Sequence, residues 1–437
     1  MRGLTRRLLY AGPRLERYNM LWNIAGSFCY ALASMVLSVF VMRMAGEEEG
    51  GIFSFGFSTL GQQLFIVAYF GIRPFQITDG KGEYSFGDYL CHRRLTCLAA
   101  LAGGGAFLGL MLMLGRYDGH KAFVLFLLVC YKVIDGFADV YESEFQRQGS
   151  LYLTGKSNFF RTILSVCACL GLLGLTEDLT AACLGAVCAQ TAGVFLFNLD
   201  VIRALPDVAW QRRRGAVPGL FRSTAFLFAS VFLDFYIFSS AKYAIDRYMS
   251  DADSGYFNLI FMPTSVIYMV ANFIIRPFLT RLTALWDGKR ISDFKRELLK
   301  LALMVGGLTV LAAGAAFILG KWILTVVELI LGAGYGGSLN RYWMDFALIV
   351  LGGGFYALAN LMYYALVIAR RQRAIFTVYA AGAGIAWLIS RPMVESLAIH
   401  GAAACYLLLM AGLTLGFGIW TLTVCGREER KIADYGG

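Results

Sequence analysis

Ile72-Arg73-Pro74-Phe75 closes one long apolar run, and Ile275-Arg276-Pro277-Phe278 closes another 203 residues later. Upstream, Gly51-Ile52-Phe53 and Gly255-Tyr256-Phe257 fall into the same register to within one residue. A fixed long offset between apolar segments points to two copies of one membrane unit in a single polypeptide. Many transporters build two lobes around a central site in this way. The pattern implies moving something across a membrane rather than chemistry upon it.

The rest of the chain fits that reading. It is 58% hydrophobic and 16% charged, with a mean hydropathy of +0.62; soluble domains carry ~25% charge. Runs of ~20 apolar residues, enough to cross ~30 Å of hydrocarbon, recur from end to end. The expected spans are 19–42, 51–72, 92–114, 121–145, 157–175, 179–201, 218–241, 255–276, 298–320, 342–369, 374–391 and 398–425, twelve in all. Trp322–Leu331 is too short to cross and is expected to lie at the interface. With a cytoplasmic N-terminus, 30 of the 39 Lys and Arg residues, Lys81 among them, fall in inner segments and 8 in outer ones, while Lys132 sits inside a span. That bias fixes orientation and supports an even span count with both termini inside. The first run follows an arginine-rich segment and reads as a span, not a cleaved signal.

The longest polar break is Arg203–Phe221, with Arg212-Arg213-Arg214, Pro206 and Pro218. It divides the sequence into a six-span lobe at 1–202, a basic linker at 203–217 and a second six-span lobe at 218–437. Six being even, the two halves enter the membrane from the same side. A second echo, Arg147-Gln148-Gly149-Ser150-Leu151 after span four and Arg371-Gln372-Arg373-Ala374-Ile375 after span ten, supports the match. The expected fold class is therefore all-α and integral to the membrane. No loop is long enough for a folded soluble domain, so any site must be made from helices.

Several function classes fall away. The basic residues lie in short loops, not on a groove-reading element, so nucleic acid is not the expected partner; anionic headgroups of membrane lipids are. The ten cysteines show no Cys-x-x-Cys, and the three histidines stand at the ends of different spans, which favours neither disulfides nor a metal. Gly149–Ser157 imitates a phosphate loop, but its spacing is one residue too long and no strand precedes it. No cofactor is expected, and nothing resembles an enzyme's catalytic grouping.

The fourth span carries the densest charge. Lys132, Asp135, Asp139 and Glu142 step by three, four and three and so share one helical face. A charge at mid-bilayer costs at least ~2.5–3.5 kcal/mol, so this face should look into a bundle or a wet cavity. One reading makes it a cavity wall, with Lys132 meeting an anionic substrate group and Asp135 or Asp139 handling a coupling cation. The other makes it structural, with Lys132 paired to Asp135 and the remaining acids paired to arginines. Asp234, in Phe232-Leu233-Asp234-Phe235-Tyr236, stands alone near mid-depth of span seven. It is a candidate for proton or sodium binding or for pairing across the lobes with Lys132, or else a hydrogen-bonded structural acid. Arg73 and Arg276 close equivalent spans, each before a proline that ends or bends the helix. Guanidinium groups there suit a diphosphate headgroup, or plain anchoring to lipid phosphate.

Arg73-Pro74-Phe75-Gln76 with Asp79, Tyr84 through Asp88-Tyr89 and Arg93, Asp139 through Gly155-Lys156 with Arg161, and the Arg370–Arg373 turn with Tyr379 carry a resemblance. With the span pattern, the chain resembles the polysaccharide transport family of the multidrug/oligosaccharidyl-lipid/polysaccharide flippase superfamily. The resemblance implies twelve helices in two six-helix lobes. It implies alternating-access flipping of a lipid-diphosphate-linked oligosaccharide across the bacterial cytoplasmic membrane, driven by an ion gradient or membrane potential. Lys132, Arg73 and Arg276 would then meet the diphosphate, and Asp234, Asp135 or Asp139 would take the coupling ion. Glycosyltransferases and a polysaccharide polymerase are the implied neighbours. The first-helix arginines of the peptidoglycan-precursor branch have no counterpart, since span one offers only Arg17 and Arg43 near its ends. Capsule, O-antigen-like, teichoic and exopolysaccharide intermediates all fit. The rival readings are a multidrug cation exporter of the same fold, a membrane glycosyltransferase and a non-transporting scaffold of a synthesis complex.

Overall fold

The structure is a computed structural model that describes residues 2–11, 14–79, 82–206 and 208–435; Lys81 lies outside them. The described residues form helices and no strands. After a short N-terminal helix, Arg2–Leu9, come α1 Leu15–Ala45, α2 Glu47–Thr78, α3 Phe86–Met113, α4 Gly119–Arg147, α5 Leu151–Thr176 and α6 Leu179–Arg203. Then follow α7 Ala216–Tyr248, α8 Asp251–Asp287, α9 Ile291–Leu331 and α10 Asn340–Ile368. The final stretch, Gln372–Tyr435, contains a non-helical Ala398 at φ 54°, ψ −133°. We treat its two arms as α11 (372–397) and α12 (399–435).

Ten of these stretches are long and apolar enough to cross a membrane by composition alone. α4 is missing from that set because of its charges, and Ala398 turns the last stretch into two spans, which brings the described spans to twelve. Val378 lies against Gly416 and Leu413 against Gly382. Those pairings fold α11 and α12 back on one another about Ala398. Trp322–Leu331 is the last part of α9, which runs unbroken from Ile291 to Leu331 over 41 residues.

Helix starts are written in the sequence. Ser85 with Asp88, and Ser250 with Asp253, form reciprocal capping boxes at α3 and α8, while Asp118 and Asp178 cap α4 and α6. Each satisfies backbone N–H groups that the first turn leaves unpaired. The basic linker is tied to the α3 cap. Arg213 N–H donates to Asp88 Oδ1 at 2.8 Å, Gly87 N–H donates to the Ala209 carbonyl at 3.0 Å, and Ser85 Oγ donates to the Gln211 carbonyl.

The chain divides into two compact units, Met1–Phe232 and Leu233–Gly437, so α7 gives its first half to one and its second half to the other. In the first, α2 and α4 are central. The most apolar window of α2 is 78% buried, against 22% for α1. A cluster including Ile72, Phe86, Tyr89, Tyr141 and Phe145 forms part of its core. In the second, Ile275, Leu282, Phe294, Leu301 and Leu361 pack α8, α9 and α10 together. Large apolar side chains such as Phe28, Met113, Leu175 and Leu303 point outward, as lipid-facing residues do where hydrocarbon replaces water as solvent. α1 crosses α5 backbone to backbone: a Cβ at Gly155 would run into the Trp22 carbonyl, and one at Gly26 into Gly155. Small residues at such crossings let backbones approach where dispersion drives association.

The two Arg-Pro echoes adopt different conformations. At the first, the helix ends at Tyr69, Phe70 and Gly71 turn left-handed at φ 51° and 65°, and a new helix starts at Arg73. At the second, the helix tightens into a 3₁₀ turn over Arg276–Phe278 and continues to Asp287.

Candidate functional site

The break at Phe70 strips the last carbonyls of the preceding helix of their partners. Arg93 Nη1 donates to the Ala68 carbonyl at 3.0 Å, and Thr96 Oγ1 donates to it at 2.7 Å. Arg93 thereby reaches α4, where its Nη2 lies 2.8 Å from Asp139 Oδ2. Arg73 pairs with the other oxygen of Asp139 and donates to Gln146 Oε1 at 3.0 Å. Asp139 therefore joins two arginines.

One turn earlier on α4, Asp135 accepts from Arg161 at 2.6 Å and from Gln190 at 3.3 Å, and its second oxygen accepts from the Tyr30 hydroxyl at 3.0 Å. Arg161 also lies 3.2 Å from Glu142, which accepts from Ser157 at 3.1 Å. Lys132 does not pair directly with Asp135. Its ammonium donates to Tyr30 Oη at 3.3 Å and sits 3.9 Å from the centre of the Phe57 ring, with the residue 3% exposed. Tyr30 thus relays between a cation and a carboxylate that never touch. The ladder runs Lys132, Tyr30, Asp135, Arg161, Glu142 along one face of α4. A second caged ammonium, Lys156, donates to the Leu8 and Tyr10 carbonyls at 2.7 and 3.0 Å, with the rings of Tyr18, Trp22 and Tyr152 around it.

The partners Arg93 and Arg161 carry roles that sequence reasoning did not assign. The expected spans start late, which leaves both at the membrane edge. In the structure Arg93 is the eighth residue of α3 and Arg161 the eleventh of α5. An arginine two or three turns inside a helix is the signal that marks them.

In the second unit, Asp234 accepts from the Tyr356 hydroxyl at 2.8 Å, and its other oxygen has no hydrogen-bond partner among the described residues. Tyr356 stacks on Tyr268 at 5.2 Å and packs against Phe238 at 5.0 Å. Tyr379, Tyr363 and Phe417 form a further aromatic group, with Tyr379 and Phe417 at 5.0 Å. No Lys, Arg or His pairs with Asp234 among the described residues. The result is an acid among tyrosine faces, an arrangement that suits a small cation or an organic one. Arg276 is exposed and makes no ion pair among the described residues. Among the described residues, no three His, Cys, Asp or Glu side chains gather as a metal site would need.

Outside the spans, Asp79 orders the turn between α2 and α3. It accepts from the N–H groups of Glu83 and Tyr84 at 2.8 and 2.9 Å and from the Tyr89 hydroxyl at 3.1 Å. Burial pushes its carboxyl up, but these donors and the Arg147 charge outweigh that and hold it below its ordinary value.

Searches against protein-family models and against curated proteins find no match. Solved structures do match. The inward-facing conformation of a multidrug resistance MATE family transporter of the MOP superfamily aligns with a TM-score of 0.65 at 12% identity, covering 92% of this chain and 95% of that one. The eukaryotic MATE transporter AtDTX14 aligns with a TM-score of 0.64 at 11% identity, covering 95% and 99%. A MOP superfamily transporter from Pyrococcus furiosus, described as having a binding pocket of reverse polarity that suggests a different function, aligns at 0.52 and 13% identity, covering 94% of each chain. Identities this low carry the fold alone, and that fold is specific: the chain is a multi-pass membrane protein built as the MATE transporters of the MOP superfamily are.

Proposed function

We propose that the chain is a flippase that moves a lipid-diphosphate-linked oligosaccharide across the membrane for surface polysaccharide synthesis. The observation that carries this reading is Lys132, a buried ammonium that touches no carboxylate. Arg73, Arg93 and Arg161 are matched by Asp139, Asp135 and Glu142, whereas Lys132 is held by a hydroxyl and a ring, and Lys156 by two backbone carbonyls and three rings. An interior ammonium left without a carboxylate favours an anionic substrate group. A pocket of reverse polarity is also what distinguishes the P. furiosus neighbour. In this reading Lys132, Arg73 and Arg276 meet phosphate oxygens. Asp139, Asp135 and Asp234 are the coupling groups of this reading. Both termini are cytoplasmic, and the membrane is the bacterial inner one.

Asp234 favours a second reading, a cation-coupled multidrug exporter, because an unpaired acid lined by tyrosines suits organic cations. The MATE neighbours favour it too. Proteoliposomes separate the two. The flippase reading expects a labelled lipid-diphosphate glycan to cross, with at least a tenfold loss in Lys132→Ala. Efflux of organic cations with no movement of that lipid would replace it with the exporter.

A further inference from the structure

The first turns of α9 carry Asp293, Lys295, Arg296, Glu297 and Lys300, and the next charge is Lys321. At ~1.5 Å per residue the stretch between Lys300 and Lys321 spans ~30 Å, the thickness of a bilayer's hydrocarbon. Lys300 therefore marks one edge of the membrane. At that edge the helix of α8 that ends at Asp287 and the start of α9 enclose a groove of about 1050 Å³.

Four cations line it. Arg290 is taken by Asp293 at 2.6 Å and Arg281 by Glu297 at 3.4 Å. Arg296 and Lys300, one helical turn apart, are exposed and have no ion pair among the described residues. The groove thus holds two cations in excess of its acids. On the same face of α9, Leu299, Leu303 and Met304 are 60%, 68% and 43% exposed and run from the two free cations toward mid-bilayer.

We propose that this groove binds an anionic phospholipid. Arg296 and Lys300 hold the headgroup phosphate, and the Leu299–Leu303–Met304 strip carries the acyl chain. The strip decides between occupants: a free phosphate has no use for it, and a soluble polypeptide cannot follow it into hydrocarbon. Charge complementarity sets the headgroup, since a zwitterionic lipid leaves the two-charge excess uncompensated. The bound lipid would brace the start of α9 against the end of α8. This inference stands whether the transported substrate is a glycolipid or a drug.

The test is retention of phosphatidylglycerol over phosphatidylcholine by the purified full-length chain, read by native mass spectrometry and by binding of headgroup-labelled lipid in mixed vesicles. Wild type should prefer phosphatidylglycerol. Arg296→Gln and Lys300→Gln should each weaken that preference about fivefold, and the double variant about twenty-fivefold. Arg94→Gln, outside the groove, should change nothing. Arg296→Lys with Lys300→Arg keeps the charges and should keep the lipid, which separates lost binding from lost folding. Equal retention of both lipids by wild type would overturn the proposal, as would an unchanged double variant. So would displacement by inorganic phosphate as effective as by lipid, or a polyprenyl diphosphate that outcompetes phosphatidylglycerol.

Discussion

Arg93 and Asp139 form an ion pair at 2.8 Å in which the arginine side chain is wholly removed from solvent. A pair that deep is costly to assemble and costlier to break, because the surviving partner is left charged in an apolar surround. Arg93→Gln should therefore destabilise the protein by about 3 kcal/mol, even with Arg73 still beside Asp139. Thermal unfolding in detergent measures this. The double variant Arg93→Gln/Asp139→Asn should recover part of the loss, showing as a non-additive cycle.

Lys132 should behave in the opposite way. It has no carboxylate of its own and sits against Phe57. Lys132→Met keeps the stem, removes a buried charge and should leave stability unchanged or raised by about 1 kcal/mol. Transport of a lipid diphosphate should nonetheless fall at least tenfold, if the ammonium meets phosphate. A variant that is both stable and fully active would remove Lys132 from the substrate path.

Asp234→Asn should uncouple rather than unfold. The Tyr356 hydroxyl can still donate to the amide oxygen, so the packing against Tyr268 survives. The expected result is downhill exchange that persists while gradient-driven accumulation is lost, measured with and without an imposed ion gradient. Equal uphill transport by the variant would place coupling elsewhere.

The α2–α3 turn should be acid-sensitive. Asp79 is held below its ordinary value by the N–H groups of Tyr84 and Glu83 and by Tyr89, against the upward push of burial. Its stabilisation is then fully present above the unfolded carboxylate value of about 3.9 and is lost as pH falls through the lower folded one. Exchange of the Glu83 and Tyr84 amides, corrected for intrinsic pH dependence, should accelerate over that window in wild type. In Asp79→Asn it should be fast at every pH.

Gly155→Ala should cost about 1–3 kcal/mol, because the added methyl meets the Trp22 backbone and a helix axis must move. Gly149→Ala, where nothing lies nearby but φ is +75°, tests strain without crowding.

The spans were legible because hydrocarbon thickness imposes a length on any helix that crosses it. The ends were less so. Arg93, Arg161 and Lys156 all lie beyond the first turn of their helices, yet polar residues near an apolar run look like loop, and the expected spans start after or beside them. The charged face of α4 could be read from its three-four-three spacing, since periodicity belongs to one helix. What opposes that face could not. Tyr30, Arg73, Arg161 and Gln190 come from four other helices, and no local pattern links them. The tyrosines near Asp234 were hidden differently, because 23 of them are scattered through the chain and only packing selects Tyr356 and Tyr268. The repeated Arg-Pro string was visible, but not its divergence: a left-handed Phe70-Gly71 precedes one copy, and a tightened turn contains the other.

The corner at Ala398 has no slack. A single alanine at φ 54° reverses the chain between α11 and α12, and a Cβ at nearby Gly401 would strike the Met393 carbonyl. An epitope or reporter spliced there would have to pry apart two membrane-crossing rods rather than dangle from a pliant tether. Topology mapping should place its tags at Ala333–Gly336 instead, where a short turn is largely exposed, and short of Gly337, Leu339 and Asn340, whose N–H groups Glu328 holds.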